Sequence, residues 1–316
     1  MSRVRPSSSA TVGTLVQHGQ ELFTLARIAY GQGVTNARDE AAYLTLHTLK
    51  LPLDRLPLHR KVAVADVERV LHLFERRVQE RKPAAYLTNE AWLGNQRFFV
   101  DERVIVPRSF IAELLFDRDF PYLPAPAHVR TALDLCTGSG CLAIVLAKRY
   151  RKATVDATDI SRGALAVAQI NVRRHRLKNR VRLLFSDYFS ALRRRRYDLI
   201  ISNPPYVRST VMRTLPREYK SEPALALAAG DDGLDAVRVI LAEAGEHLNP
   251  GGMLVVECGH ARRRVERAWP QLPFLWPNLS TGDDCVFILT REDLAHGGLA
   301  AALPLARGGR TSRSNP

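Results

Sequence analysis

Apolar residues recur at helical spacing through the first quarter of the chain, from about residue 14 to residue 81. The recurring positions are Leu15, Leu22, Phe23, Ala26 and Ala29, then Ala42, Leu46 and Leu49, then Val67, Val70, Leu71, Phe74 and Val78. Apolar side chains three and four positions apart share one face of a helix. Pro52 and Pro57 interrupt the pattern and Pro83 closes it. The pattern predicts a small helical domain over residues 14–83.

The period changes to that of β-strands from Ala91 to Val106. The apolar positions of this segment are Trp92, Phe98, Phe99, Val100, Val104, Ile105 and Val106. Polar turns at residues 94–96 and 101–102 separate them, and Pro107 ends the pattern. We therefore expect a β-hairpin linker over residues 84–107, followed by a helix that begins near Ser109.

Beyond Val129, short apolar runs alternate with amphipathic segments. The runs typical of strands are residues 131–136, 154–158, 181–185, 197–202, 252–257 and 284–289, and the helical segments are residues 140–150, 161–177, 232–248 and 260–268. Such alternation predicts an α/β sheet covered by helices on both faces, in a second domain over residues 108–295.

The two ends of the chain, residues 1–13 and 296–316, differ from the rest in composition. Both are rich in Ser, Arg or Gly, which predicts a disordered N-terminus and a disordered basic tail. A transit peptide would share the composition of residues 1–13, but a disordered terminus is the favoured interpretation.

The composition agrees with two domains, because 316 residues exceed the usual size of one. Lys and Arg number 46 against 32 Asp and Glu, a net charge of +14. Such a surface attracts polyanions such as nucleic acid, although solvated arginine runs are an equally good explanation. The four cysteines form no CxxC pair and no zinc-like spacing with histidine, so we expect neither a metal site nor a disulfide framework. We expect a cytoplasmic protein, because the cysteines suit a reducing compartment and no apolar run is long enough to cross a membrane.

The first candidate for chemistry is a strand that runs directly into a glycine-containing turn. The turn consists of Cys136, Thr137, Gly138, Ser139 and Gly140. Glycine permits close approach of a ligand, and the N-terminus of the following helix offers unpaired N–H groups. Asp159 lies 19 residues after Gly140, at the end of the next strand, where a carboxylate can accept both hydroxyls of a ribose. We interpret the turn as a nucleoside-binding loop, with a plain strand-to-helix turn as the alternative.

The sharpest signal is the tetrapeptide Asn203-Pro204-Pro205-Tyr206, which follows the strand-like residues 197–202. The side-chain oxygen of Asn203 can accept from an NH₂ group, and the prolines remove competing N–H donors. An amide nitrogen is a poor nucleophile, so positioning and hydrogen-bond acceptance must provide most of the acceleration. Tyr206 offers an aromatic face to a planar amide or base and to a cationic sulfonium. The tetrapeptide predicts methylation of an NH₂ group, against the alternative of a rigid turn.

These motifs resemble those of the HemK/PrmB family of protein glutamine methyltransferases, over residues 14–295. The matching segments are residues 133–144, the strand end at Asp159 and residues 203–206. The resemblance implies S-adenosylmethionine as cofactor. It also implies a class I methyltransferase domain with a Rossmann-like, seven-stranded sheet. General class I methyltransferases share the first two segments, and enzymes that methylate exocyclic amines of bases share the third.

Residues 85–114 are similar to the PrmB branch of that family. Ser109, Ile111 and Glu113 favour this branch, because HemK proteins carry Pro-Arg-Pro-Glu-Thr there instead. Further similarity to the PrmB branch lies in residues 215–223 and 232–234. The PrmB branch modifies a glutamine of large-subunit ribosomal protein three (uL3), so the resemblance implies uL3 as partner.

The resemblance also implies roles for individual residues. The residues expected at the cofactor site are Cys136, Thr137, Gly138, Ser139, Gly140, Asp159 for the ribose, Asp187 and Tyr188 for the adenine, and Asn203. The expected catalytic residues are Asn203, Pro204, Pro205 and Tyr206. Arg108 is expected to dock the substrate. Two residues depart from the common pattern. Phe110 stands where a proline is usual, and Cys136 replaces the glycine common in HemK proteins, in agreement with PrmB.

Three other functions share these features. The substrate could be the GGQ glutamine of release factors, an exocyclic amine of RNA or DNA, or the chain could be a non-enzymatic ribosome-assembly factor that kept the fold. No zinc finger, KH motif or RNP motif supports the nucleic-acid substrate. As a hypothesis, the net charge reflects a uL3 substrate that already sits on rRNA in a pre-ribosomal particle.

Overall fold

The computed structural model describes residues 10–297, and its N-terminal part is a unit of four helices. These are α1 (Val12–Leu25), α2 (Ala37–Thr48), α3 (Val64–Glu80) and α4 (Ala84–Thr88). Phe23, Leu44 and Phe74 are fully buried in its core. The Thr11 hydroxyl accepts from the backbone N–H of Thr14 at 3.2 Å, so α1 begins two residues before the expected boundary. The expected disordered ends, apart from residues 10–13 and 296–297, lie outside the described residues.

A short hairpin follows, with β1 (Ala91–Leu93) antiparallel to β2 (Gln96–Phe98). The strand pattern expected to continue to Val106 is wrong for the structure, which has no strand between Phe98 and Thr131. Side chains satisfy the backbone there instead. The Tyr86 hydroxyl donates to the carbonyl of Val104, and the backbone N–H of Val106 donates to Glu222 Oε1 at 3.0 Å. Val100, Val104 and Val106 are therefore buried without a strand partner.

The predicted α/β sheet is confirmed. Its strands are β3 (Thr131–Leu135), β4 (Thr154–Asp159), β5 (Val181–Phe185), β6 (Tyr197–Ser202), β7 (Leu248–Glu257) and β8 (Val286–Thr290). They lie in the order β5-β4-β3-β6-β7-β8, with β8 antiparallel to β7 and the other neighbours parallel. The carboxyl ends of five strands therefore share one edge, where α/β proteins bind their ligands.

Helices cover both faces of this sheet. They are α5 (Ile111–Phe116), α6 (Cys141–Arg149), α7 (Arg162–Arg174), α8 (Ser209–Thr214), α9 (Asp235–Ala244), α10 (Arg262–Ala268) and α11 (Arg291–His296), with 3₁₀ turns at Tyr219–Ser221, Ala224–Ala226 and Gly245–His247. Ala132 faces the core that includes α6, whereas Leu133 and Leu135 face the core that includes α9. Among residues 10–297, no helix is both long and apolar enough to cross a bilayer.

The sheet has six strands in the described part of the chain, not the seven that the family resemblance implied. At the position of the missing strand, Leu275 and Ile288 exchange two backbone hydrogen bonds, of 3.1 and 2.9 Å, as an isolated bridge. Successive bonds to one neighbour in an antiparallel ladder involve alternate residues. Pro273 and Pro277 occupy those alternate positions and have no N–H to donate. The edge strand therefore shrinks to one residue pair.

Candidate active site

A buried carboxylate, Asp134, holds the turn after β3. Its Oδ2 accepts from the Thr137 hydroxyl and, at 2.9 Å, from the backbone N–H of Ala143 at the start of α6. Burial raises the pKa of Asp134 to about 7. Asp134 was not among the site residues expected from the sequence. Its signal is an acid between two leucines of an apolar strand, which is costly unless the acid has bound partners.

The two glycines of the turn differ in environment. Both have left-handed backbones, with φ of 54° at Gly138 and 78° at Gly140. A Cβ at Gly138 would have no atom within 4 Å, whereas one at Gly140 would lie 3.0 Å from the Cβ of Ala168. Gly138 therefore opens towards a cavity, while Gly140 caps α6 and lets α7 approach. Cys136 also has a left-handed backbone.

Asp159 lies at the carboxyl end of β4 and faces the glycine turn. Its Oδ2 accepts from the backbone N–H of Gly138 at 2.9 Å, and its Oδ1 accepts from that of Ser161 at 2.8 Å. Burial raises the pKa of this carboxyl, while the backbone donors lower it. Each carboxylate oxygen keeps a second lone pair for a ligand hydroxyl.

Most of the expected cofactor residues line one cavity of about 250 Å³, called here the cofactor cavity. These are Cys136, Thr137, Gly138, Ser139, Asp159, Asp187, Tyr188 and Asn203. Gly140 is not part of its lining. Ile160 and Leu225, which were not expected from the sequence, are among the apolar residues that line the same cavity.

The tetrapeptide lies between the cofactor cavity and a smaller one. The second cavity, of about 170 Å³, is called here the amide cavity. Asn203 lines both cavities, Pro205 lines the cofactor cavity, and Pro204 and Tyr206 line the amide cavity. The Ser202 hydroxyl donates to the carbonyl of Leu135 at 2.8 Å, which fixes the end of β6 against the start of the glycine turn. Tyr206 thus lines the amide cavity and not the cofactor cavity.

A buried glutamate at the end of β7 anchors Tyr206. The Tyr206 hydroxyl donates to Glu257 Oε1 at 3.1 Å, and the Ser109 hydroxyl donates to Oε2 at 2.6 Å. The backbone N–H of Phe110 also donates to Oε2, at 2.9 Å. A proline at position 110 has no N–H, so Phe110 adds a hydrogen bond that the usual residue cannot make.

Arg108 is engaged by the protein itself. Its two terminal nitrogens bind the carboxylate of Glu222 at 2.5 and 2.7 Å, and its guanidinium lies 5.6 Å from the ring centre of Tyr219. The Glu222 side chain is fully buried. Arg108 lines both cavities, so the structure places it in their shared wall instead of leaving its charge free for docking.

One group of side chains away from the tetrapeptide has the character of metal ligands. The Nδ1 atom of His260 lies 2.9 and 3.0 Å from the two carboxylate oxygens of Asp284 and 3.5 Å from the Sγ of Cys285. The Asp284 carboxylate accepts from both the ring and the thiol, and these hydrogen bonds account for the grouping.

Comparisons with known proteins agree with this geometry. Residues 120–215 match the family model "Methyltransferase small domain". The ribosomal protein uL3 glutamine methyltransferase of Neisseria meningitidis serogroup B is 52% identical over 286 residues, which cover 90% of this chain and 94% of that protein. The enzymes of the same name from Burkholderia pseudomallei and Bradyrhizobium diazoefficiens are 49% and 44% identical, over 92% and 93% of this chain and 97% and 95% of theirs.

The chain belongs to the uL3 glutamine methyltransferase family. The resemblance to the PrmB branch is therefore confirmed, and the protein is a methyltransferase. Methyltransferases of this family imply S-adenosylmethionine as methyl donor. The residues present fit that group, because the open side of Gly138 and the carboxylate of Asp159 face one cavity. That cavity also has the apolar side chains that an adenine needs.

Replacing Asp159 by Ala tests its role towards the cofactor. We expect cofactor affinity to fall roughly 10- to 100-fold, the usual value of hydrogen bonds to a charged group, while turnover at saturating cofactor falls much less. Isothermal titration with S-adenosylmethionine gives the affinity, and methyl transfer gives the turnover. Unchanged affinity with lost turnover would contradict this role. Asp283→Ala, at an exposed acid on a distant loop, is the control.

Glu257 predicts a pH dependence of stability. Burial raises its pKa to about 7, against hydrogen bonds from Ser109 and Tyr206 that lower it. The folded state therefore holds the proton more tightly than the unfolded state, so this group stabilises the fold at low pH. The stability is lost as the pH rises through about 7. Glu257→Gln removes the effect, because the Tyr206 hydroxyl can accept from the new NH₂ group.

The measurement is urea unfolding of the wild type and Glu257→Gln at pH 5.5 and pH 8. We expect the stability of the variant relative to the wild type to increase by about 2 kcal/mol between these two values. Asp134 has a similarly raised pKa but is present in both proteins, so its contribution cancels. A difference that does not depend on pH would contradict the prediction.

Proposed function

We propose that the protein transfers a methyl group from S-adenosylmethionine to the side-chain amide nitrogen of a glutamine in ribosomal protein uL3. The position of Asn203 carries this proposal, because one side chain lines both the cofactor cavity and the amide cavity. An NH₂ group held by Asn203 thus lies at the boundary of the two cavities. The names of the relatives support uL3 as the substrate.

Each part of the site has a role in this proposal. Bound S-adenosylmethionine supplies a methyl group on an electrophilic sulfonium. Residues 136–139, Asp159, Asp187 and Tyr188 bind the cofactor, and Asn203 with the carbonyls of the tetrapeptide accepts from the NH₂ group. Methyl transfer would form a bond from the amide nitrogen to the methyl carbon and break the bond from that carbon to sulfur. S-adenosylhomocysteine would then leave, and one proton of the nitrogen would pass to solvent. Orientation of the nitrogen provides most of the acceleration.

The walls of the amide cavity strengthen this orientation. They are mainly apolar, with Ile105, Val207, Val211, Leu215 and Leu227. Hydrogen bonds to Asn203 are stronger in such surroundings than in water. Tyr206 is fixed through Glu257, and Arg108 through Glu222, so both walls are rigid before the substrate arrives. We infer that Tyr206 packs on the planar amide and that Arg108 shapes the entrance to the cavity.

Transfer of a labelled methyl group tests the proposal. Purified protein, labelled S-adenosylmethionine and ribosomal extract from cells without this activity are incubated, digested and examined by mass spectrometry. Label on a glutamine amide of uL3 is the expected result. Label on the GGQ glutamine of a release factor or on a base of RNA would show that this molecule, and not uL3, is the substrate. If no label appears although the protein is folded and binds the cofactor, the protein would be a non-enzymatic binding factor.

A further inference from the structure

Three segments of the chain carry an unusual excess of positive charge. They are residues 149–153, 173–182 and 193–196, called here the basic edge. Together they contain 13 Lys and Arg and no Asp or Glu, against a net charge of +14 for the whole chain. Eleven of the 13 are arginine. The basic edge thus holds most of the charge that the sequence analysis left without a location.

The fold brings the three segments together. They precede β4, β5 and β6 or include the first residues of the strand, so they lie at the amino edge of the parallel strands. Arg180 donates to the carbonyls of Tyr150 and Ala153 at 2.6 and 2.7 Å, which joins the first two segments. Arg182 and Arg195 both bind the carboxylate of Asp156, which joins the second to the third.

Little negative charge balances this surface. Among residues 10–297, Asp156 is the one acid that forms ion pairs with the basic edge. Arg173, Lys178, Arg180 and Arg182 line a groove of about 610 Å³ together with that acid. The exposed cations of the edge are Arg151, Lys152, Arg173, Arg174, Arg176, Lys178, Arg182, Arg193, Arg194 and Arg196. The groove therefore has the charge and shape for an extended chain of anions.

We propose that the basic edge binds the phosphate backbone of RNA. Arginine forks match phosphate oxygens in pairs, and arginine predominates here. None of the large exposed apolar side chains of the described residues lies in the three segments, so the edge lacks the apolar groups that insert into a bilayer. The choice of RNA over other polyanions rests on the proposed function, because a ribosomal protein substrate is surrounded by RNA.

The geometry also orients the enzyme. The amino edge and the catalytic edge are separated by strands of five or six residues at β4, β5 and β6, or about 17–20 Å. A protein bound to RNA through the basic edge turns the tetrapeptide away from that RNA. The glutamine that it reaches lies on a protein segment that stands clear of the RNA surface. This orientation lets the enzyme methylate a uL3 molecule that is already seated on RNA as well as free uL3.

The test compares two triple variants of the full chain with equal charge loss. Arg193→Gln, Arg194→Gln and Arg196→Gln remove part of the basic edge, and Arg38→Gln, Arg55→Gln and Arg60→Gln remove exposed cations from the helical unit. The probe is a fluorescent 16-base-pair RNA duplex, measured by anisotropy at several salt concentrations. We expect the edge variant to bind at least roughly tenfold more weakly, with a salt slope smaller by about 2–3, and the control to bind like the wild type.

Other outcomes would overturn the proposal. An equal loss of RNA affinity in both triple variants would mean that net charge alone attracts the RNA. If the wild type does not bind the duplex, the basic edge is not an RNA-binding surface. Equal affinity for polyglutamate of the same charge, or for vesicles with phosphatidylserine, would assign the edge to another partner. Methylation of free uL3 without RNA is measured beside this test. The edge variant keeps that rate, whereas failure of the proposed function abolishes it in the wild type.

Discussion

Replacing Asn203 by Ala is expected to reduce the methylation rate by about 10²- to 10³-fold, while the affinity for S-adenosylmethionine changes less than about threefold. The magnitude is that of removing one group that orients a reacting atom in an enclosed site. The cofactor cavity keeps its glycine turn and Asp159, so binding of the cofactor persists. Single-turnover methyl transfer and isothermal titration measure the two effects separately.

Two further variants make this result specific to Asn203. Asn203→Gln keeps the amide but lengthens the side chain, so the rate stays low if position matters and recovers if only the chemical group matters. Asn278→Ala removes an exposed asparagine that lines neither cavity and leaves the rate unchanged. If Asn203→Ala loses cofactor affinity by the same factor as it loses rate, Asn203 acts on the cofactor and not on the substrate.

The largest expected loss of stability follows from Arg77→Met. Arg77 is 1% exposed, and its Nε lies 2.5 Å from Glu40 Oε1 in the core of the helical unit. Burial raises the pKa of Glu40 while Arg77 lowers it, so the arginine is what favours the charged carboxylate. Removal of one partner from a buried ion pair costs about 3–5 kcal/mol. Urea unfolding of the variant measures this loss.

A double variant separates the ion pair from simple packing. In Arg77→Met with Glu40→Leu, no carboxylate remains unpaired, so we expect most of the lost stability to return. Arg77 also lies 3.7 Å from Glu218, but Arg81 stays 3.1 Å from that carboxylate in both variants. If the single variant loses less than about 1 kcal/mol, the pair does not hold the helical unit together.

The sheet could be predicted from sequence because its strands are short apolar runs between glycine and polar turns. The starts of β3, β4, β5 and β6 agree with the expected positions. Periodicity alone could not show that the segment before Val106 forms no strand. The backbone of this segment is bound by the side chains of Tyr86 and Glu222, which are distant in the sequence. The seventh strand is absent for a local reason, because Pro273 and Pro277 flank the single bridge at Leu275. The family resemblance implied seven strands and did not take these two prolines into account.

The candidate site was predictable where its residues follow strand ends. Residues 136–139, Asp159 and Asn203 do so, and the structure places them around one cavity, although their roles stay predictions. Glu222 and Glu257 were missed because each binds side chains that are far away in the sequence. Asp134 was also missed, although its partners Thr137 and Ala143 lie nearby. A buried acid in an apolar run, as at Asp134 and Glu257, is a usable signal for such residues. Glu222 has no comparable local signal.

The shared lining of the two cavities has a consequence for inhibitor design. Four residues, Ile105, Arg108, Asn203 and Ala226, border both the cofactor cavity and the amide cavity. A compound that joins an adenosine to a glutamine analogue by a short linker would place its junction beside Asn203. Such a compound gains the binding energy of both ligands for a single loss of translational freedom. Its selectivity over other methyltransferases would come from the glutamine analogue, which occupies the smaller, apolar amide cavity.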